Sequence, residues 1–519
     1  MDSKNLNVGF RNSKHGIIAP TLEELKDISQ QYHMNMSSED LLDFASLIEG
    51  SLDSYRRVAQ MPEPHPAVKY PRTPGYRPSA DENPLNAWHR RCSIEGSKNG
   101  KLSGKKIALK DNICTAGIPM SNGSTVLDGF IPEIDATIVT RILDAGGEII
   151  GKATCENFCL SGGSHTSATG PVFNPHKPTY SAGGSSSGCA ALVVNGDCDM
   201  AIGGDQGGSI RIPSSLCGAY GLKPTYGLVP YTGILPLEYS LDHTGPICSK
   251  TEDLAILLEV IAGKDPLDPR QHDNINKVEH TKALNGNAKG LRIGVLREGF
   301  GWPGVEVGTD EIVREAAFSF EKAGAKIEEV SIPIHREGVH IWNCIAFDGI
   351  FQQLFRNNGL GMGWKGYQQT GASSFFYKSK KTLADNFSDP VKLLILLGHY
   401  MIEKNHGIFY AKAQNQVPLL CEAYDEALTH VDLLAMPTVA PHGKARKIID
   451  YPTREEYFDA AFCYHFNTCP FNNTGHPAVT VPSGRSDGLP VGMMLVGRQF
   501  EDATVLRAAH AFQTLGIYK

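Results

Sequence analysis

The sequence predicts an α/β protein with helices on both faces of a sheet, and three observations predict it. Short apolar runs such as Ile107-Ala108-Leu109 and Glu148-Ile149-Ile150 alternate with amphipathic stretches such as Asp135 to Ala145, the pattern of strands and covering helices. The 519 residues exceed what one hydrophobic core usually organises, so one large domain with appendages, or two to three domains, is expected. A composition of 41% hydrophobic and 20% charged residues is that of a compact globular chain rather than a disordered one.

Taken in order, the elements begin with a helix opened by Thr21-Leu22-Glu23-Glu24, which has the spacing of a capping box. A second helix is expected after Ser37 or Ser38, where Leu41, Phe44, Ala45, Ile48, Leu52 and Tyr55 recur at three- and four-residue steps and predict one buried face. From Met61 to Pro84 seven prolines prevent regular helix, which predicts a linker. The stretch from Ser161 to Gly227 is rich in Gly and Ser. Inside an α/β region that means a flexible linker or close backbone approach to a ligand, and its buried-looking neighbours Ala190 to Val194 and Ile210 to Pro213 favour the latter. Residues from about Pro333 to Leu433 read as helical, with Val391 to Leu397 and Ala411 to Leu428 clearest and a kink expected at Pro418. Strand-like runs follow at Leu433 to Met436, Ala478 to Val481 and Val491 to Val496, before a closing helix near Asp502 to Leu515. The expected organisation is an N-terminal helical segment over residues 1–70 and a main domain over 71–519, with a smaller helical subdomain inside it at about 333–433.

Charge and cysteine usage narrow the function classes. A net charge of −7, with no stripe of Lys and Arg interleaved with aromatics, argues against a nucleic-acid partner. The twelve cysteines form no C-x-x-C pair. Cys155 with Cys159 and Cys463 with Cys469 lack the further ligands of a zinc site, so reduced thiols and no metal are expected. Met1 to Lys14 is polar and the apolar stretch at Leu393 to Leu397 is too short to span a bilayer, so neither export nor membrane insertion is expected and the cytosol is the default.

Three segments carry the candidate chemistry: Ile107-Ala108-Leu109-Lys110-Asp111-Asn112, Gly183-Gly184-Ser185-Ser186-Ser187-Gly188, and Gly204-Asp205-Gln206-Gly207-Gly208-Ser209-Ile210-Arg211. Lys110 ends a predicted strand, the place where open α/β sheets present functional groups. A lysine serves as a base only when neutral, which burial beside hydroxyls and backbone dipoles favours. Gly207 and Gly208 let successive backbone N–H groups turn toward one point, as an oxyanion hole needs. Each signal taken alone reads more simply, Lys110 as a solvated surface lysine and the glycines as an ordinary tight turn.

Their order and spacing together resemble the amidase signature family, whose members use a Ser-cisSer-Lys triad in place of Ser-His-Asp. The similarity continues through Cys217-Gly218, Gly221-Leu222-Lys223-Pro224-Thr225, Asn473-Thr474-Gly475-His476-Pro477 and Gly488-Leu489-Pro490-Val491-Gly492, and spans roughly Leu85 to the C-terminus. The resemblance implies the amidase signature fold, a large mixed β-sheet core flanked by helices. It implies Ser209 as nucleophile, Lys110 as base, and Ser185 as the serine whose peptide bond is cis and whose hydroxyl bridges the other two. The backbone N–H groups of Gln206, Gly207, Gly208 and Ser209 would form the oxyanion hole. Asp205 and Arg211 would support this loop, a surface ion pair being the alternative. Ser186 would hydrogen-bond near Lys110 or serve structure alone. Ser187 departs from the pattern, standing where many members have glycine, which alters the loop beside the cis bond.

Within the family, Asp205-Gln206-Gly207 and Trp342-Asn343 most resemble bacterial amidases associated with nitrile metabolism and related small-amide hydrolases, and the N-terminal helical segment fits that group. On that reading Gln206 reaches a substrate amide with its side chain, while Leu160 and Trp342 wall an apolar acyl pocket; core packing is the plainer role for each. The implied reaction is acyl transfer in two halves, with no metal or organic cofactor, and carbamates and esters are open as alternative substrates. The N-terminal helices could serve a homodimer contact.

Other readings compete. Gly184-Ser185-Ser186-Ser187-Gly188 also fits G-x-S-x-G, which would make Ser186 the nucleophile. Gly146 to Lys152 nearly fits a phosphate-binding loop, but Ala153 stands where a hydroxyl belongs and Glu148-Ile149-Ile150 reads as a strand. An amidase component of a tRNA-linked amidotransferase, or a non-catalytic binding module, completes the set.

Overall fold

The computed structural model describes residues 17–518 except 274, 276, 277, 362 and 450. The polar stretch Met1 to Lys14 lies outside the described residues. The chain divides into two compact units, Met1–Pro66 and Ala67–Lys519.

The first unit holds two helices, Leu22–Gln31 and Ser38–Ala59. Both are opened by reciprocal capping boxes, Thr21 with Glu24 and Ser37 with Asp40, as a hydroxyl at the N-cap and an acid three residues on require. Of the apolar residues that repeat along the second helix, Leu41 is buried while Phe44 and Tyr55 are exposed. The periodicity marks the helix but overstates the burial of its apolar face.

In the second unit, eleven strands among the described residues form one sheet: β1 Trp88–Ile94, β2 Lys106–Lys110, β3 Glu148–Ala153, β4 Met200–Asp205, β5 Tyr220–Lys223, β6 His243–Cys248, β7 Arg292–Leu296, β8 Lys326–Val330, β9 Leu433–Pro437, β10 Ala478–Ser486 and β11 Leu489–Val496. Their order is β1-β3-β2-β4-β6-β5-β10-β11-β9-β7-β8. The sheet is mixed. β2 runs parallel to both β3 and β4, and β7 to both β8 and β9, while β4–β6, β5–β10 and β10–β11 are antiparallel. Central strands such as β9 and β11 are buried along their whole length, so they are apolar throughout rather than alternating.

The predicted strands at Ile107, Glu148, Leu433, Ala478 and Val491 are all present, and the closing helix is Asp502–Leu515. Because Glu148–Ala153 is a strand, Gly146 to Lys152 is not a phosphate-binding loop running into a helix. The helices Gly338–Ile350, Thr370–Leu383, Asp389–Asn405 and Ile408–His430 fill the region read as helical. The last of these continues through Pro418, so that residue does not end it. Met61 to Pro84 contains neither helix nor strand. Among the described residues no helix is long and apolar enough to cross a membrane, and no cluster of three or more His, Cys, Asp or Glu side chains is placed to hold a metal.

Candidate active site

β2 and β4 lie side by side and parallel, with Leu109 opposite Ile202, so their C-terminal ends bring Lys110 beside Gly203 and Gly204. Lys110 is fully buried. Its Nζ donates to Ser185 Oγ at 2.8 Å and to the Gly204 carbonyl at 3.2 Å. Both contacts are uncharged oxygens. The peptide bond between Gly184 and Ser185 is cis, and the helix Ser187–Asn195 starts two residues after Ser185.

Ser186 stitches the two glycine-rich turns together. Its N–H donates to the Ser209 carbonyl at 3.2 Å, while its hydroxyl donates to the Gly204 carbonyl at 3.1 Å and accepts the Gly204 N–H at 3.2 Å. With its hydroxyl buried and engaged on both sides, Ser186 is not the exposed nucleophile that G-x-S-x-G would require. Ser187, at the first turn of its helix, is buried with an unpartnered hydroxyl.

Ser209 is 9% exposed and opens on a cleft of about 460 Å³. Leu160, Gln206 and Trp342, the three residues read as pocket, line that cleft together with Ile212, Tyr464 and His465. Its apolar walls, broken by a few polar groups, suit a small organic molecule. Among the described residues the Ser209 hydroxyl makes no hydrogen bond. The Lys110–Ser185 link is thus closed and the Ser185–Ser209 link open, in a class of contact that often tightens only in the reacting complex.

The expected oxyanion donors divide three to one. The N–H groups of Gln206, Gly207 and Ser209 have no protein acceptor among the described residues. The N–H of Gly208 instead donates to Asp205 Oδ1 at 2.8 Å, so it is already engaged and three of the four expected donors stand free. Gly208 has φ +134°, and a Cβ there would lie 2.3 Å from Thr468 Oγ1 and 2.7 Å from Ile212 Cδ1. Gly208→Ala is expected to displace Ser209 and lower kcat by about 100-fold, the scale of a misplacement near 1 Å. A thermal melt run alongside separates this loss from unfolding.

Asp205 and Arg211 form a fully buried pair, not a surface one. Arg211 Nε reaches Asp205 Oδ2 at 3.0 Å and Nη2 reaches Oδ1 at 2.9 Å, a two-point match of guanidinium to carboxylate. Ile210 N–H also donates to the carboxylate, at 3.1 Å, so one side chain holds the backbone on both sides of Ser209. Burial alone would raise the Asp205 carboxyl; the charge and hydrogen bonds of Arg211 outweigh it and hold the group well below the usual range. Asn472 closes the network, donating to the Asp205 carbonyl at 2.9 Å and accepting from Arg211 Nη2 at 2.8 Å. On the far wall, Trp342 Nε1 donates to the Gln206 carbonyl at 2.7 Å. Burial pushes the His465 imidazole down to about 4, so this cleft residue is neutral near pH 7.

A family model described as Amidase matches residues 82–506. The chain belongs to the amidase signature family. An enantioselective amidase of Rhodococcus rhodochrous is 40% identical over 506 residues, covering 96% of each chain. A glutamyl-tRNA(Gln) amidotransferase subunit from Methanosarcina acetivorans is 39% identical over 426 residues, 82% of this chain and 87% of its own. Among solved structures, a glutamyl-tRNA(Gln) amidotransferase subunit from Thermotoga maritima is 31% identical with a TM-score of 0.69, covering 83% of this chain and 87% of its own. As an amidase signature protein, the chain is a hydrolase whose reaction class is amide cleavage, and its mixed sheet with flanking helices is the fold of that family.

Sequence reasoning missed Ile212, Tyr464 and His465 in the cleft, and Asn472, Tyr231 and Asp242 behind it. Asn472 directly precedes a stretch that carried the family resemblance, so its signal was present in the sequence. Tyr231 and Asp242 lie in a loop with no local marker of any role.

Proposed function

We propose that this amidase signature protein hydrolyses small amides to an acid plus ammonia or an amine, with Ser209, Ser185 and Lys110 as its catalytic residues. The observation that carries the reading is the buried Lys110–Ser185 hydrogen bond, 2.8 Å long, joined through Gly204 to the loop on which Ser209 opens onto the cleft. Lys110 Nζ takes the Ser209 proton through the Ser185 hydroxyl as Ser209 Oγ attacks the carbonyl carbon. The N–H groups of Gln206, Gly207 and Ser209 stabilise the negative charge that develops on the carbonyl oxygen. As the C–N bond breaks, the proton returns along the same relay to the leaving nitrogen. Water, deprotonated by the same route, then attacks the Ser209 ester, and the proton returns to Ser209 Oγ as the acid departs. Every step uses groups of the chain and water.

The extent of the matches favours a self-sufficient amidase over an amidotransferase component. A match covering 96% of the chain must include most of the first 66 residues, whereas the match to the Methanosarcina amidotransferase protein covers 82%. The cleft, walled by Leu160, Ile212 and Trp342, suits a small apolar acyl group. Product release by the purified chain alone, compared across small aliphatic amides, aryl amides, carbamates and esters, tests the proposal. Amides are expected to lead. Turnover confined to carbamates or esters would move the chain to a urethane- or ester-cleaving role with the same residues, and no turnover without added protein would favour the amidotransferase reading.

A further inference from the structure

The Gln206 side chain is buried against the cleft, yet one end of its amide is engaged and the other is not. Nε2 donates to Tyr231 Oη at 2.9 Å, and Tyr231 Oη donates to Asp242 Oδ1 at 3.4 Å. This chain of contacts is itself braced. Leu237 N–H donates to Asp242 Oδ2 at 3.1 Å, Arg270 Nη1 donates to the Asp242 carbonyl at 2.9 Å, and the Arg270 guanidinium lies 4.7 Å over the Tyr231 ring. Burial pushes the Asp242 carboxyl up to about 8, and in either protonation state it offers Tyr231 an acceptor oxygen.

Gln206 Oε1, by contrast, is a buried acceptor with no partner. Such an acceptor calls for a donor, and a substrate bound in the cleft is one source. Its position says which donor. A Cβ built on Gly204 would lie 3.6 Å from both Gln206 Nε2 and Lys110 Nζ, so the Gln206 amide lies near the lysine of the proposed relay. On that relay the leaving group collects its proton nearby. A scissile amide brings an N–H there; the matching ester brings only lone pairs, which a carbonyl oxygen repels.

We propose that Gln206 Oε1 accepts an N–H of the scissile amide, with Tyr231 and Asp242 as positioning residues that hold the Gln206 amide in this sense, and that this acceptor selects N–H-bearing amides over matching esters. The inference rests on the proposed reaction at Ser209 and names the feature of the substrate that the site reads.

The test compares a primary amide and the methyl ester of the same acid. Gln206→Leu is expected to lower kcat/KM for the amide about 10- to 100-fold more than for the ester, as leaving a buried polar group unmatched does. Tyr231→Phe, which keeps the ring over Arg270, shifts the amide-to-ester ratio in the same direction by less. Equal losses on both substrates, or no loss on the amide, would overturn the proposal. Calorimetric binding of the same two compounds to Ser209→Ala reads the preference without turnover: the amide is favoured, and adding Gln206→Leu removes the preference. Amide turnover that survived Ser209→Ala would defeat the reaction assignment, while the binding preference would still decide the role of Gln206.

Discussion

Replacing Ser209 by alanine is expected to lower amide turnover by about four orders of magnitude or more, the size of effect seen when a nucleophile that acts as part of a unit is removed. The same substitution should leave stability nearly unchanged, because the Ser209 hydroxyl makes no hydrogen bond among the described residues and lies at the cleft surface. KM should change little, since Leu160, Gln206 and Trp342 still wall the pocket. Steady-state release of product, read beside a thermal unfolding curve, checks both halves. Residual activity above a few per cent would place the nucleophile elsewhere, and a large fall in melting temperature would mean that the loss was one of folding.

Asp205→Ala is expected to be the most damaging substitution to the fold of this region. It strands the fully buried Arg211 guanidinium without its counter-charge and frees the N–H groups of Gly208 and Ile210 at once. Removing one partner of a buried pair costs roughly 3–5 kcal/mol, which denaturant unfolding would register directly. Asp205→Asn keeps the shape and loses the charge, and it exposes the pH dependence. Arg211 holds the native Asp205 carboxyl well below its ordinary value, so its contribution is fully present above the unfolded value of about 4 and is lost as pH falls toward the lower folded one. The stability gap between wild type and Asp205→Asn should therefore be flat from about pH 8 to pH 5 and should narrow below about pH 4. A gap that widened in acid would show that the carboxyl is not ionised in the native state.

How much of this was legible in the sequence depended on the kind of signal. Strands with dense apolar content, such as β2, β9 and β11, declared themselves, whereas β4 ends in Gly-Gly-Asp and β6 carries Gly245 and Pro246, residues that read as turn. Their strand character comes from pairing with neighbours, not from local propensity. A strand end pointed to Lys110 and glycine-rich turns to Ser185 and Ser209, and the structure places Lys110 against Ser185 because β2 and β4 are parallel neighbours, a fact no local window contains. For the same reason the donor sense of Gly208 was misread. That two glycines permit converging N–H groups is visible locally; that Asp205 captures one of them depends on where its carboxylate is held by Arg211 and Asn472. The Tyr231–Asp242 brace behind Gln206 was out of reach altogether, being assembled from a loop whose residues carry no pattern.

The central claim is that an acyl group passes through Ser209. Rapid quenching of the enzyme during turnover of an activated small amide, followed by mass analysis of the peptide that carries Ser209, tests it most directly. The expected result is a mass increase equal to the acyl group, located on Ser209 and absent from Ser209→Ala. An acyl group found on Ser185 or Ser186, or a burst of product with no covalent adduct on the chain, would contradict it.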